Sequence, residues 1–146
     1  MMTAFVLDTS VVMAWCFEDE NNSYADAVLD HLKEDTALAP GIWPLEIGNV
    51  LVSAERRGRM TRAESEHFLE LIQQLPIEVE TPSSRRLFET VINLAREQSL
   101  STYDAAYLDL AMRVGVRLAT LDNAMQQAAI RFGIPTYLSE ERKDIR

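Results

Sequence analysis

Four acids in this chain stand where a fold could use them together: Asp8, Glu46, Asp104 and Asp122. Asp8 follows the short apolar run Ala4-Phe5-Val6-Leu7, and Asp122 closes a second such run, Leu118-Ala119-Thr120-Leu121. Glu46 falls in the first turn of a helix whose opening position suits Pro44. Asp104 falls in the first turn of a helix that Ser101 can cap. Each acid alone has a structural explanation, because first helical turns favour carboxylates; Asp104 can complete a capping box and Asp122 can serve as an N-cap. Convergence of all four is another matter. Two like charges at 4 Å repel by about 1 kcal/mol in water and about 4 kcal/mol at an effective dielectric of 20. Several such pairs would consume much of a domain's stability, typically ~5–15 kcal/mol. Such a cluster needs protons or a cation, and an all-oxygen donor set suits a hard ion, Mg²⁺ or Mn²⁺.

A polar row continues from Glu46. Asn49, Ser53 and Arg56 follow at helical spacing and lead toward Arg57 and Arg59, beside an apolar stripe of Ile47, Val50, Leu51 and Ala54. The row reads either as a solvated helix face or as a track from the acids to a basic patch that holds phosphates. Ser10, next to Asp8, is placed to cap a helix over 11–17. His31 and His67 read as surface residues, Trp15, Trp43 and Tyr107 as core or interface, and Arg85, Arg86, Arg113 and Arg117 as solvated charge. Cys16, the one cysteine, lies in an apolar segment and reads as a small buried residue rather than a nucleophile.

The elements that must position these residues alternate. The run 4–7 is too short for a helix and fits a strand buried on both faces. An amphipathic helix follows, capped by Ser23, with Ala25, Val28, Leu29 and Leu32 on one face. A second short strand at 37–39 ends at Pro40-Gly41. Helices over 44–57 and 62–75, the latter opened by a Thr61/Glu64 capping box and with Phe68, Leu71, Ile72 and Leu75 on one face, form an αα-hairpin about Gly58. The segment 77–80 alternates as a half-exposed edge strand. The next helix presents Phe88, Val91, Ile92 and Ala95, and its successor Tyr107, Leu110, Ala111 and Val114. After the strand at 118–121 come a helix with Met125, Ala128, Ala129 and Phe132, a glycine cap and a final strand at 134–138. Strands and helices in this order predict an α/β fold with a mainly parallel sheet. Parallel strands bring Asp8 and Asp122 to one edge, where such sheets keep their ligands.

With 146 residues, 47% apolar and 25% charged, the chain reads as one domain over 1–146. A lone cysteine suits a reducing cytoplasm. The N-terminal run is not read as a signal peptide, since Asp8 interrupts it and no basic segment precedes it. No stretch approaches membrane-spanning length. A net charge of −9 argues against broad electrostatic binding of nucleic acid. It leaves room for a nucleic-acid enzyme that works through cations and a local basic patch.

The order Asp8-Thr9-Ser10, Glu46-Ile47-Gly48-Asn49, Asp104-Ala105-Ala106-Tyr107, Thr120-Leu121-Asp122 resembles the PIN-domain ribonucleases. In length and spacing it is similar to the VapC toxins of type II toxin–antitoxin pairs. The resemblance covers nearly the whole chain. It implies a three-layer α/β/α fold with a central parallel sheet of about five strands, Asp8 ending the central one, and a protruding helical hairpin. It also implies Mg²⁺- or Mn²⁺-dependent cleavage of a structured RNA of the tRNA or rRNA class. Asp8, Glu46, Asp104 and Asp122 would be the acidic catalytic and metal-binding set, with Ser10 and Asn49 as polar support and Ser53, Arg56 and Arg57 as candidate RNA contacts. The partners implied are the RNA, a second copy of the chain, and a VapB-like antitoxin with a segment in the groove beside the hairpin.

Two other classes compete. A phosphatase or phosphoacceptor domain also places an Asp after its first strand, but it needs a lysine near the phosphate, and the only lysines are Lys33 and Lys143. A non-catalytic module with the same fold would act by contacting a protein partner, against which the complete acidic set weighs.

Overall fold

The computed structural model describes residues 3–139. Strand β1 (Ala4–Leu7) lies between β2 (Thr36–Pro40) and β4 (Arg117–Ala119), and β3 (Ile77–Glu80) is outermost, giving the order β3-β2-β1-β4 with every pairing parallel. Phe5, Val6 and Leu7 have no exposed surface. That is why this run carries no polar alternation: helices cover both faces of a strand that also has neighbours on both edges.

The sheet has four strands where about five are expected. The segment at 134–138 contributes one parallel bridge, Leu118 to Thr136, through Leu118 N–H to Pro135 O at 3.1 Å and Tyr137 N–H to Leu118 O at 2.9 Å. Pro135 has no N–H to extend the ladder, and Leu138 turns the chain away with φ 52°.

Around the sheet lie α1 (Thr9–Cys16), α2 (Ser23–His31), α3 (Trp43–Arg56), α4 (Arg62–Ile72), α5 (84–98), α6 (Thr102–Val114) and α7 (Asn123–Arg131). Helix α3 buries Trp43, Ile47, Leu51 and Ala54. It meets α4 across a turn in which Gly58 takes φ 69°, a conformation that costs glycine nothing. The Thr61/Glu64 capping box forms as expected. Asn22, not Ser23, caps α2, accepting from Ala25 N–H. Ser101 accepts from Asp104 N–H at 3.1 Å without the reciprocal bond of a box.

Two apolar faces differ from expectation. In α4 the inward stripe is Ser65, Phe68, Leu69 and Ile72, and Leu71 is exposed. In α5 the segment Leu87–Val91 is a π-turn. The wider turn rotates everything before it, so Val91, Leu94 and Ala95 face the core while Phe88 is 71% exposed. Helix α6 is buried nearly all round, with Ala105, Tyr107, Leu108, Leu110 and Ala111 inside. Among the described residues no helix is long and apolar enough to cross a membrane.

Arg86 is not the solvated charge expected of it. Its Nε and Nη2 donate to the two oxygens of buried Asp109 at 2.9 and 2.7 Å, tying α5 to α6. Arg113 lies 4.0 Å from the same carboxylate and 3.5 Å from Glu80 on β3. Removing one partner of a buried pair costs about 3–5 kcal/mol, whereas replacing both by apolar groups is often neutral. Arg86→Leu should therefore lower the urea midpoint by an amount equivalent to about 2–3 kcal/mol, after discounting for Arg113 and for solvent at Arg86. Arg86→Leu with Asp109→Leu should recover most of that loss. A double variant less stable than the single would show that the pair contributes net stability.

Candidate active site at the carboxyl edge of the sheet

Parallel pairing of β1 with β4 brings their carboxyl ends together, and Asp8 N–H donates to Ala119 O at 3.0 Å. Asp8 stands at the N-cap position of α1 in extended backbone, but its side chain caps nothing. It is buried, 4% exposed, and its Oδ2 accepts two hydroxyls, Ser10 Oγ at 2.6 Å and Thr120 Oγ1 at 2.8 Å. These hydroxyls also fix the neighbouring loop: Ser10 Oγ accepts from Leu121 N–H at 2.9 Å, and Thr120 Oγ1 from Asp122 N–H at 3.0 Å. Ser10 thus bridges two strand ends instead of capping the helix expected over 11–17. Burial raises the proton affinity of Asp8, the Ser10 and Thr120 hydroxyls lower it, and the charge of Glu46 raises it again. The net direction is upward, so the two hydroxyls do not fully replace lost water.

Glu46 projects from the first turn of α3, just past the end of β2. Its Oε1 accepts from Tyr107 Oη at 2.5 Å and from Thr9 Oγ1 at 3.1 Å, and those two hydroxyl oxygens lie 2.7 Å apart. Burial and the hydrogen bond to Glu46 hold the Tyr107 phenol well above its ordinary ionisation range, so it remains a donor. Tyr107 is in the core, as its sequence context suggested, yet its hydroxyl belongs to the site.

Asp104, in the first turn of α6, reports on the whole assembly. Half-burial, then the charges of Asp8, Asp122 and Glu46, push its carboxyl up to about 6, against a smaller lowering by Ser101. The four acids from four segments thus share one electrostatic field. Asp122 meanwhile caps α7, accepting from Met125 N–H at 2.9 Å, so its capping role and its place near the other acids coexist. The donor chemistry fits a hard divalent cation, since every candidate ligand is a carboxylate oxygen. Among the described residues no three His, Cys, Asp or Glu side chains are already gathered as a ligand cluster.

The polar row on α3 is less tied to this edge. Asn49, Arg56 and Arg57 are exposed and Ser53 is half-buried, and none of the hydrogen bonds among the described residues links Asn49 to an acid. Arg59, the end of the row, is committed elsewhere: Nη2 lies 2.7 Å from Asp19 and 2.9 Å from Glu20, and the guanidinium sits 3.8 Å over the Phe17 ring. The half-buried Cys16 thiol is pushed up to about 11 by burial, as befits an inert residue. Lys33 pairs with Asp30 on exposed surface, and Lys143 lies outside the described residues. His31 is half-buried edge-on to Tyr137 rather than on open surface.

Sequence reasoning did not assign Thr9, Thr120 or Tyr107 to the site. The signal was present in position. Thr9 adjoins Asp8, Thr120 precedes Asp122 by two residues, and Tyr107 follows Asp104 by three, on the same helix face.

Known proteins share this fold. The chain is 26% identical over 122 residues to the Ribonuclease VapC3 of Pyrobaculum aerophilum, covering 84% of this chain and 92% of that protein. It superposes on the crystal structure of PAE2754 from Pyrobaculum aerophilum with TM-score 0.70 and 23% identity, over 98% of this chain and 97% of that one. VapBC2 from Rickettsia felis, solved bound to a DNA fragment from its promoter, matches with TM-score 0.66 and 12% identity, over 92% and 98% of the two chains. The PIN domain model matches residues 5–131, nearly the whole of the α/β unit that carries the four acids, and the chain belongs to the PIN-domain family.

Proposed function

We propose that this protein is a metal-dependent endoribonuclease toxin of the VapC type, a single cytoplasmic domain restrained by a VapB-like antitoxin. The observation that carries the reading is the meeting of four acids from four segments at one sheet edge: Asp8 and Glu46 are held there by hydroxyls, and half-burial, then the charges of Asp8, Asp122 and Glu46, raise the Asp104 carboxyl to about 6. Its likeness to the Pyrobaculum ribonuclease supports the reaction class. The likeness to a VapBC assembly supports the antitoxin.

Asp8, Glu46, Asp104 and Asp122 would hold one or two Mg²⁺ or Mn²⁺ ions. When bound, such ions lower the pKa of water and stabilise charge on a phosphate's oxygens. Ser10 and Thr120 fix the Asp8 carboxylate; Tyr107 and Thr9 fix Glu46. Whichever acid is left without an ion orients the attacking water and accepts its proton. In-line attack by water on phosphorus, with the 3′-oxygen as leaving group, breaks the P–O3′ bond and leaves a 5′-phosphate and a 3′-hydroxyl, with no role for the RNA 2′-hydroxyl. The substrate is a structured RNA of the tRNA or rRNA class, its backbone running along α3 past Asn49 and Ser53 to Arg56 and Arg57.

Two surfaces suit the expected protein partners. A cleft of about 490 Å³ lies between the hairpin and β3, lined by Trp43, Leu69, Ile72 and Val79. It suits an apolar antitoxin segment. An apolar groove of about 420 Å³ adjoins the acids, with Leu45, Phe88 and Tyr103 exposed along it. It suits a second copy of the chain, in keeping with a homodimer.

Millimolar Mg²⁺ or Mn²⁺ should raise the melting temperature, because an ion that binds only the folded state stabilises it by mass action. Asp8→Asn should shrink that shift. Equal melting temperatures in metal and in chelator would count heavily against the site.

Arg56→Ala with Arg57→Ala should weaken RNA binding and flatten its salt dependence. Stability should move by only tenths of a kcal/mol, since both residues are exposed. Unchanged affinity and salt slope would return these arginines to ordinary surface.

The function itself is tested by a metal-titrated cleavage time course on total cellular RNA, using protein freed of antitoxin. We expect cuts at few positions, only with Mg²⁺ or Mn²⁺, and at least ~10²-fold slower cleavage by Asp8→Asn, the upper range for loss of a supporting group alone. Cleavage that survives both chelator and Asp8→Asn would overturn the assignment. Fragments with 2′,3′-cyclic phosphate ends would overturn attack by water. A parent protein that binds antitoxin but never cuts would point to a non-catalytic module.

A further inference from the structure

Glu46 is held by one oxygen only. Both hydroxyls that reach it, Tyr107 Oη at 2.5 Å and Thr9 Oγ1 at 3.1 Å, converge on Oε1. None of the hydrogen bonds among the described residues goes to Oε2. Tyr107 is fully buried on α6, and Thr9 opens α1, so two separate elements grip the same atom. Their oxygens are also 2.7 Å from each other; with one proton on each hydroxyl, Tyr107 donates to Oε1 while Thr9 divides its proton between Oε1 and Tyr107 Oη, and this closed set of contacts limits rotation of the carboxylate. Asp8 is built alike, with Ser10 and Thr120 both on Oδ2. A carboxylate gripped in this way has one oxygen to offer a cation, not two.

That distinction matters chemically. Ca²⁺ takes about six to eight oxygens and readily accepts both oxygens of one carboxylate, whereas Mg²⁺ demands a near-octahedral shell. Mn²⁺ shares the octahedral preference. We propose that Tyr107 and Thr9 are positioning residues that hold Glu46 by Oε1, so that it offers a single ligand oxygen and the site favours a small six-coordinate cation over Ca²⁺. This rests on the reading of Glu46 as a metal ligand and adds to it a role for two residues that need never touch the ion.

The test is calorimetric titration of the chelator-treated full chain with MnCl₂ and, separately, CaCl₂. Tyr107→Phe keeps the buried ring and removes only the hydroxyl; Thr9→Val keeps the volume. Each should weaken Mn²⁺ binding by about 10-fold or more, the usual effect of losing a group that orients a ligand. Ca²⁺ affinity should hold or rise, so the Mn²⁺/Ca²⁺ preference falls by a similar factor. In a Glu46→Gln background, Tyr107→Phe should add nothing, because residues acting through one group are not additive. Should Tyr107→Phe fail to fold, Thr9→Val carries the same comparison. Equal loss for both ions, or an undiminished effect in the Glu46→Gln background, would mean that Tyr107 is merely structural and would overturn the proposal. If Glu46→Gln alone leaves Mn²⁺ binding intact, the assignment of Glu46 as a ligand fails instead, and the proposal fails with it.

Discussion

The arrangement depends first on the pairing of β1 with β4. Paired residues of these strands are 112 positions apart in the chain, and their parallel register sets Leu7 beside Ala119. One step further, Asp8 N–H reaches Ala119 O, which leaves the Asp8 carboxylate facing Thr120. A shift of one residue would exchange inward and outward side chains along the strand. Phe5, Val6 and Leu7 differ in volume and are wholly buried, so exchanging the two faces would leave voids on one and overpack the other, which opposes such a slip. The site therefore inherits its precision from the core, through a backbone hydrogen bond and not through the acids themselves.

At this edge burial and hydrogen bonding oppose each other, and burial prevails. Asp8 gains two hydroxyl donors, yet its net shift is upward. Asp104 rises to about 6, first through its half-burial and then through the charges of Asp8, Asp122 and Glu46. Fold and site pull apart here. A sequence selected for stability alone would replace one or more of these carboxylates, and natural proteins hold such groups where function requires them. Positive charge is the missing component. Arg59, the far end of the basic row, is spent on Asp19, Glu20 and Phe17.

Much of this was legible in the sequence because the relevant signals are local. An apolar run closed by an acid gives a buried strand with a carboxylate at its end. The stripes on α3, α6 and α7 follow helical spacing, and the Thr61/Glu64 box marks its own helix. What was not legible is contact between segments distant in sequence. No spacing rule shows that Tyr107 donates to Glu46, 61 positions earlier, or that Arg86 closes on Asp109. The face of α5 was misjudged because a π-turn breaks the 3.6-residue period on which such readings depend. The fifth strand was misjudged because alternation cannot reveal that Pro135 and Leu138 limit its pairing to a single bridge.

The hydroxyls connect these levels. Thr9, Ser10, Thr120 and Tyr107 are each small or rigid for their polar reach, and each contacts a carboxylate near the end of a β-strand. Water could solvate those carboxylates as well, but it would leave them free to rotate. A hydroxyl anchored in a helix or strand end supplies the same hydrogen bond with its direction already set, which is the physical content of preorganisation. Lysine or arginine in those places would neutralise the acids and remove their reason for attracting a cation. Serine, threonine and tyrosine orient charge without cancelling it. That constraint on residue type fits the hydroxyls in the segments around the four acids and the place of Arg56, the basic residue of α3, at the far end of that helix.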